Sequence, residues 1–163
     1  MSMKQARWLI GSFIVLALLS IVWSHRPGTL QLETPVGGAL LPVSVPTDCS
    51  LKAPGCDLSL GELGSVTVQA PARIVPLHKF VLTVTPSAEL AKNLGAVSVD
   101  FQMIGMDMGV NNYPLQRAAD GAYSQTIILP VCTTTRTDWV ALLMLHTPRG
   151  AYLAKIPFSV DPR

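Results

Sequence analysis

From residue 65 onward the chain alternates apolar and polar positions in short runs separated by turn residues. Residues 65–70 (SVTVQA) set Val66 and Val68 between polar neighbours, and residues 77–85 (LHKFVLTVT) put Phe80, Leu82 and Val84 on one side. Residues 96–103 (AVSVDFQM) do the same with Val97, Val99 and Phe101. Residues 122–129, 138–146 and 151–160 complete the series, and 40–45 (LLPVSV) reads as a first edge strand. Side chains in a strand point to opposite faces with period two, so each run predicts a half-buried strand. Six or seven such strands at this spacing predict an antiparallel β-sandwich. The exception is 87–94 (SAELAKNL), where Ser87 suits a helix N-cap and Gly95 a C′ glycine, predicting one helical turn between strands.

The pattern changes at the N-terminus. Residues 8–23 (WLIGSFIVLALLSIVW) hold sixteen positions without a charge. As a helix at about 1.5 Å per residue this run spans roughly 24 Å, and Ser24 and His25 can extend it toward the thickness of a bilayer core. Trp8 and Trp23 suit the two interfaces, and Lys4 and Arg7 ahead of the run favour a cytoplasmic N-terminus. Residues 1–26 therefore read as an uncleaved transmembrane anchor. A cleaved signal peptide is the alternative, but the candidate positions at the end of the apolar run, among them Ile21, Trp23 and His25, give no small-x-small cleavage site. Either reading exports the rest of the chain. Residues 27–47, with Pro27, Pro35, Pro42, Pro46 and the Gly37-Gly38 pair, read as a stiffened tether, and residues 48–163 as the exported domain.

Composition narrows the function classes. Charged residues are 13% of the 163, about half the usual share in soluble proteins, while apolar residues are 49%. Such a chain is neither disordered nor built to bind nucleic acid. Thirteen Pro and twelve Gly argue against a helical bundle. The formal charge of +2 comes from Lys4, Arg7 and Arg26; beyond them nine basic residues face ten acidic ones, a net of −1, so no basic face is implied.

No enzyme motif is present: no GxSxG, phosphate loop, HExxH or dinucleotide fingerprint. His25, His78 and His146 are far apart and read as ordinary side chains, and Asp120-Gly121 as a hairpin turn. Sulfur is the unusual element. Met103, Met106 and Met108 lie in QMIGMDMG, where a strand gives way to a loop bracketed by Gly105 and Gly109. In an extended segment Met106 and Met108 share a side. Thioethers and thiolates are soft donors that select Cu(I), although methionines also serve simply to pack a core. Cys49 and Cys56 are close enough for the Pro54-Gly55 turn to join them, a bridge contributing roughly 2–3 kcal/mol on the loop-entropy argument. Cys132 would then be a free thiol; it reads as a small buried hydrophobe, as a partner in a different bridge, or as a third soft ligand near Met106 and Met108. A thiol-redox enzyme is disfavoured, because the Cys49 and Cys56 spacing is not that of a CxxC dithiol.

The stretch VDFQMIGMDMG, then Leu115, then DGAYSQTIILPVC, then Trp139 resembles small membrane-anchored periplasmic proteins of Gram-negative bacteria related to the YtkA/FixH-like group. The likeness covers roughly residues 49–160, and the Cys49 and Cys56 pair also looks like that group. The resemblance implies an immunoglobulin-like β-sandwich of about seven strands and a role in copper handling or respiratory oxidase assembly. It points to Met106, Met108, Gly109, Cys132 and Trp139; Met103 stands where a small residue is expected. The sequence lacks a His-rich or HxxM copper motif.

The expected protein is a single-pass inner-membrane protein with a periplasmic domain and no enzymatic activity. It binds or passes Cu(I) through Met106, Met108 and Cys132, with a copper chaperone or oxidase assembly factor as partner. The alternative is a metal-free interaction module of a membrane complex, working through a sheet face or edge.

Overall fold

The alternation is realised as ten short strands among the residues that the computed structural model describes, which are 40–106, 109, 111–130 and 136–162. They are β1 (Leu40–Pro42), β2 (Cys56–Ser59), β3 (Ser65–Gln69), β4 (Lys79–Pro86), β5 (Ala96–Met103), β6 (Asn112–Pro114), β7 (Gln116–Arg117), β8 (Tyr123–Ile128), β9 (Asp138–Thr147) and β10 (Gly150–Ser159). A first sheet has the order β1-β10-β9-β5-β6 and a second the order β2-β3-β4-β8-β7. The chain is thus an all-β, two-sheet sandwich. The expected anchor at 8–23 and the start of the expected tether lie outside the described residues. Among the described residues no helix is long and apolar enough to cross a membrane.

The inner faces are those the alternation picks out. Phe80, Leu82 and Val84 from β4 face Val97, Val99, Phe101 and Met103 from β5 and Trp139, Ala141, Leu143 and Leu145 from β9, all buried. Phe101 is the hub. Its ring meets Phe80, Phe158 and Tyr113 edge-to-face at centroid distances of 6.3, 5.9 and 6.0 Å, the arrangement that ring quadrupoles favour. No polar or charged side chain is buried among the described residues.

Several expectations need correction. β1 pairs in parallel with β10, so the first sheet is not purely antiparallel; no tight turn joins the first strand to the last, and hairpin geometry does not dictate their direction. β1 also belongs to the sandwich, so the folded body includes residues ahead of the expected boundary at 48. β4 begins at Lys79 rather than Leu77, because Val75 to His78 close a turn through His78 N–H to the Val75 carbonyl at 3.2 Å. Leu77 holds φ at +64° there, in the position after Pro76 that a type II turn normally gives to glycine.

The helical turn is present as α1 (Ala88–Ala91), with Ser87 Oγ accepting from Leu90 N–H. Gly95 is not its C′ residue: the cap is Lys92, and Gly95 N–H instead donates to the His146 carbonyl at 2.9 Å. Ser87 Oγ also accepts from Ser65 N–H at 3.2 Å. Gly64, at φ +108°, makes room for it, since a Cβ there would stand 2.3 Å from that oxygen. Asp120 and Gly121 do form the turn between β7 and β8, with Gly121 at φ +87° and its N–H on the Ala118 carbonyl. The short strands β2, β6 and β7 escape the sequence pattern. β6 and β7 are one extended run that crosses from the first sheet to the second at buried Leu115, whose N–H donates to the Val97 carbonyl at 2.9 Å.

Candidate functional site

The strand ends define two poles. At one of them β5 and β8 finish and β4 and β9 begin. Met103, the last residue of β5, is the cross-strand partner of Trp139 at the start of β9. The methionine run lies in the connection from β5 to β6, whose last ladder pair is Asp100 with Asn112. Asn111 fixes the returning strand: its carbonyl accepts from Phe101 N–H and its N–H donates to Asp100 Oδ1 at 3.1 Å.

The three methionines separate. Met103 is 2% exposed and faces the core, so it acts as packing. Met106 is half-buried against the core, and its N–H donates to the Met103 carbonyl at 3.2 Å, closing a turn in which Gly105 has φ +75°. The chain therefore reverses at Met106. The expectation that Met106 and Met108 share a side of an extended segment falls on residues 107–108, outside the described ones. Met108 lies outside the described residues; Gly109, one residue on, has φ +69°.

Cys132 also lies outside the described residues, in the connection from β8 to β9. Its flanks are described. Pro130 follows the end of β8, and Arg136 precedes β9 with its guanidinium on both oxygens of Asp138, Nε to Oδ1 at 2.9 Å. That fork holds the Asp138 carboxyl below the usual carboxylate range. Because Asp138 and Trp139 neighbour the end of β5, the topology sets the bases of both sulfur-bearing loops at one pole. Cys49 and Cys56 are bonded, with Cα atoms 4.9 Å apart, and Cys132 stands outside that bridge. Among the described residues no three His, Cys, Asp or Glu side chains come together as a cation site. Trp139, expected at the site, is buried in the core and supports the pole from below.

The same pole is tied together by Asp161. Its Oδ2 accepts from Lys52 Nζ at 2.7 Å and from Ile74 N–H at 2.8 Å. These two donors, Lys52 first, hold its carboxyl below the ordinary value. Beside them Arg73, Val75, His78, Lys79 and Phe80 line an open recess of about 400 Å³. His78 sits in the turn before β4, at this same pole, whereas His146, on the exposed face of β9, pairs with Ala96 at the opposite one.

The sequence pattern did not single out one apolar group. Leu77, Val81 and Ile128 are 58%, 49% and 41% exposed. The signal was present: FVL at 80–82 and IIL at 127–129 break strict alternation, placing apolar residues on a polar face.

No family model matches this chain, and no curated protein does. Among solved structures, the human F-spondin reeler domain (fragment 1) is similar at a TM-score of 0.39, with 8% identity over 59% of this chain and 89% of that one.

Proposed function

We propose that this chain is a membrane-anchored periplasmic accessory protein, not an enzyme, that binds or passes Cu(I) at the sulfur-bearing pole of an immunoglobulin-like sandwich. Met106 and Met108 supply neutral thioethers and Cys132 a thiolate. The observation that carries the reading is the register of Met103 with Trp139, which brings the base of the methionine hairpin beside the base of the Cys132 loop. Soft donors from two loops are what Cu(I) selects, and the bridge between Cys49 and Cys56 takes the other two thiols out of competition. The resemblance to YtkA/FixH-like proteins supports the same reading and the assignment to oxidase assembly or copper homeostasis.

The test is a Cu(I) titration of the full chain in detergent against a competing chelator. It compares wild type with the double variant Met106→Leu, Met108→Leu. The swap roughly preserves volume and should cost less than about 1.5 kcal/mol of stability. The variant should fold and lose Cu(I) affinity. Thioethers carry no proton at mild acidity, so their share of the affinity should persist there. The share from Cys132 should fall with pH as protons compete for sulfur. If wild type binds Cu(I) no more tightly than the variant, the copper reading fails and a metal-free interaction module replaces it.

A further inference from the structure

Open sheet edges recruit other strands, and proteins blunt them with proline, charge or brevity. Three of the four edge strands here are treated in this way. In β1 and β6 the residues whose backbone groups face outward include Pro42 and Pro114, which have no N–H to offer. β2 carries Asp57, whose Oδ1 accepts from Thr67 Oγ1 at 2.5 Å.

Among the described residues the fourth edge is only partly covered. β7 is two residues long and pairs β8 at Ser124 and Tyr123 alone. β8 continues to Ile128, paired with β4 throughout. The lane beside 125–128 would belong to β6, but β6 has crossed to the other sheet at Leu115. Alternate residues of an antiparallel strand direct both backbone groups to one side. Leu129 accepts from Leu77 N–H on the β4 side, and Ile128 accepts from Tyr113 Oη on the other, at 2.8 Å. By that parity Thr126 N–H and C=O and Ile128 N–H point into the vacated lane.

The side chains along this lane match the backbone. Val81 pairs with Thr126 and Lys79 with Ile128, so Val81 and Ile128 are diagonal neighbours on the outer face. Both are exposed, and so is Leu77 in the adjoining turn. These three are most of the large exposed apolar residues among the described ones, and they gather around the start of β4 and the end of β8, with Ile128 beside the open lane. Leu77 is held in that turn in the left-handed region, at φ +64°, which strains a leucine. Lys79 stands on the same face, and Arg73 and His78 join it around the adjacent recess.

We propose that the 125–128 edge of β8 is a strand-addition site for an extended segment of a partner protein. The guest runs antiparallel to β8, in line with β7. It pairs with Thr126 and Ile128, lays an apolar side chain on exposed Ile128, and carries a carboxylate that the long Lys79 side chain reaches across β8. Main-chain bonds give such a site its affinity and the face beside it its selectivity. Tyr113 Oη holds the Ile128 carbonyl until a guest N–H displaces it. The site is independent of copper binding and stands whether or not the sulfur pole takes a metal.

Amide exchange of the ¹⁵N-labelled full chain in detergent micelles tests this. The probe is an acetylated, amidated heptapeptide of alternating Val and Ser or Thr with one Glu. In the dilute free chain, Gln125 and Ile127 amides, which face β4, should exchange at least tenfold more slowly than those of Thr126 and Ile128. The peptide should slow the latter two by tenfold or more. Thr126→Pro should abolish that slowing while Gln125 and Ile127 stay protected. Ile128→Glu, on an exposed outward position, should weaken peptide binding at least tenfold by repelling the Glu, and covers the case in which the proline variant does not fold. The proposal is overturned if Thr126 and Ile128 are already protected in the dilute chain. It is also overturned if their protection rises with chain concentration alone, which would mean self-pairing, or if saturating peptide leaves them unprotected.

Discussion

Replacing Phe101 with leucine should destabilise the domain by about 2–3 kcal/mol, and with alanine by about 4–5 kcal/mol. The ring is fully buried and meets three others edge-to-face at 5.9 to 6.3 Å. Leucine keeps most of the apolar burial, and a volume-conserving swap alone costs under about 1.5 kcal/mol. The rest comes from the lost ring pairs, each contributing roughly 0.5–1.5 kcal/mol beyond area burial. Alanine adds the cavity left by the whole ring, for which Phe→Ala changes typically cost about 3–5 kcal/mol. Urea unfolding followed by tryptophan fluorescence suits the measurement, because Trp139 lies in the same core. A leucine variant within about 1 kcal/mol of wild type would mean that Phe101 is only filler. The ring cluster would then not be what fixes the β5–β6 hairpin and its methionine tip.

Asp161→Asn should cost about 1 kcal/mol at neutral pH, by weakening the links to Lys52 and Ile74. The folded pKa is lowered, so this stability is fully present above the unfolded value near 3.9. It is lost as pH falls through the lower folded value, so unfolding curves of variant and wild type should converge below about pH 4. Gly64→Ala should cost about 2–4 kcal/mol by displacing Ser87 and straining a residue at φ +108°, whereas Gly61→Ala, with open space around it, should cost only about 1 kcal/mol; denaturant midpoints separate the two. Peptide mapping of the purified protein should find Cys49 linked to Cys56 and Cys132 outside that bridge, and Cys49→Ser should lower stability by about 2.5 kcal/mol. A Cys132 linkage to either partner would remove it as a copper ligand.

The long strands were legible because one face of each is buried, so selection for burial writes period two directly into the sequence. β5 and β9, eight and ten residues long, are found with bounds that match the alternation to within a residue. β2, β6 and β7 were not legible. Two to four residues cannot display a period, and NNYP at 111–114 reads as a turn although Tyr113 pairs with Val99. Gly95 misled because a glycine after a helix suits a left-handed cap, while here its backbone is needed by His146 on another strand. At the sulfur pole the residue types were legible and their arrangement was not. Whether a methionine faces the core or the loop is decided by the turn at Gly105, a tertiary choice that spacing does not encode.

The parallel pairing of β1 with β10 has a consequence for reach. Leu40 is paired with Ala151, beside the turn that joins β9 and β10, and β1 then runs in the direction of β10 toward Val160. The chain thus enters the sandwich at the end opposite the methionine hairpin. β10 is ten residues long, or about 33 Å at the rise of a strand. Leu40, where the chain enters the body, and Met103, at the end of β5, therefore stand at opposite poles, separated by the full height of the sandwich.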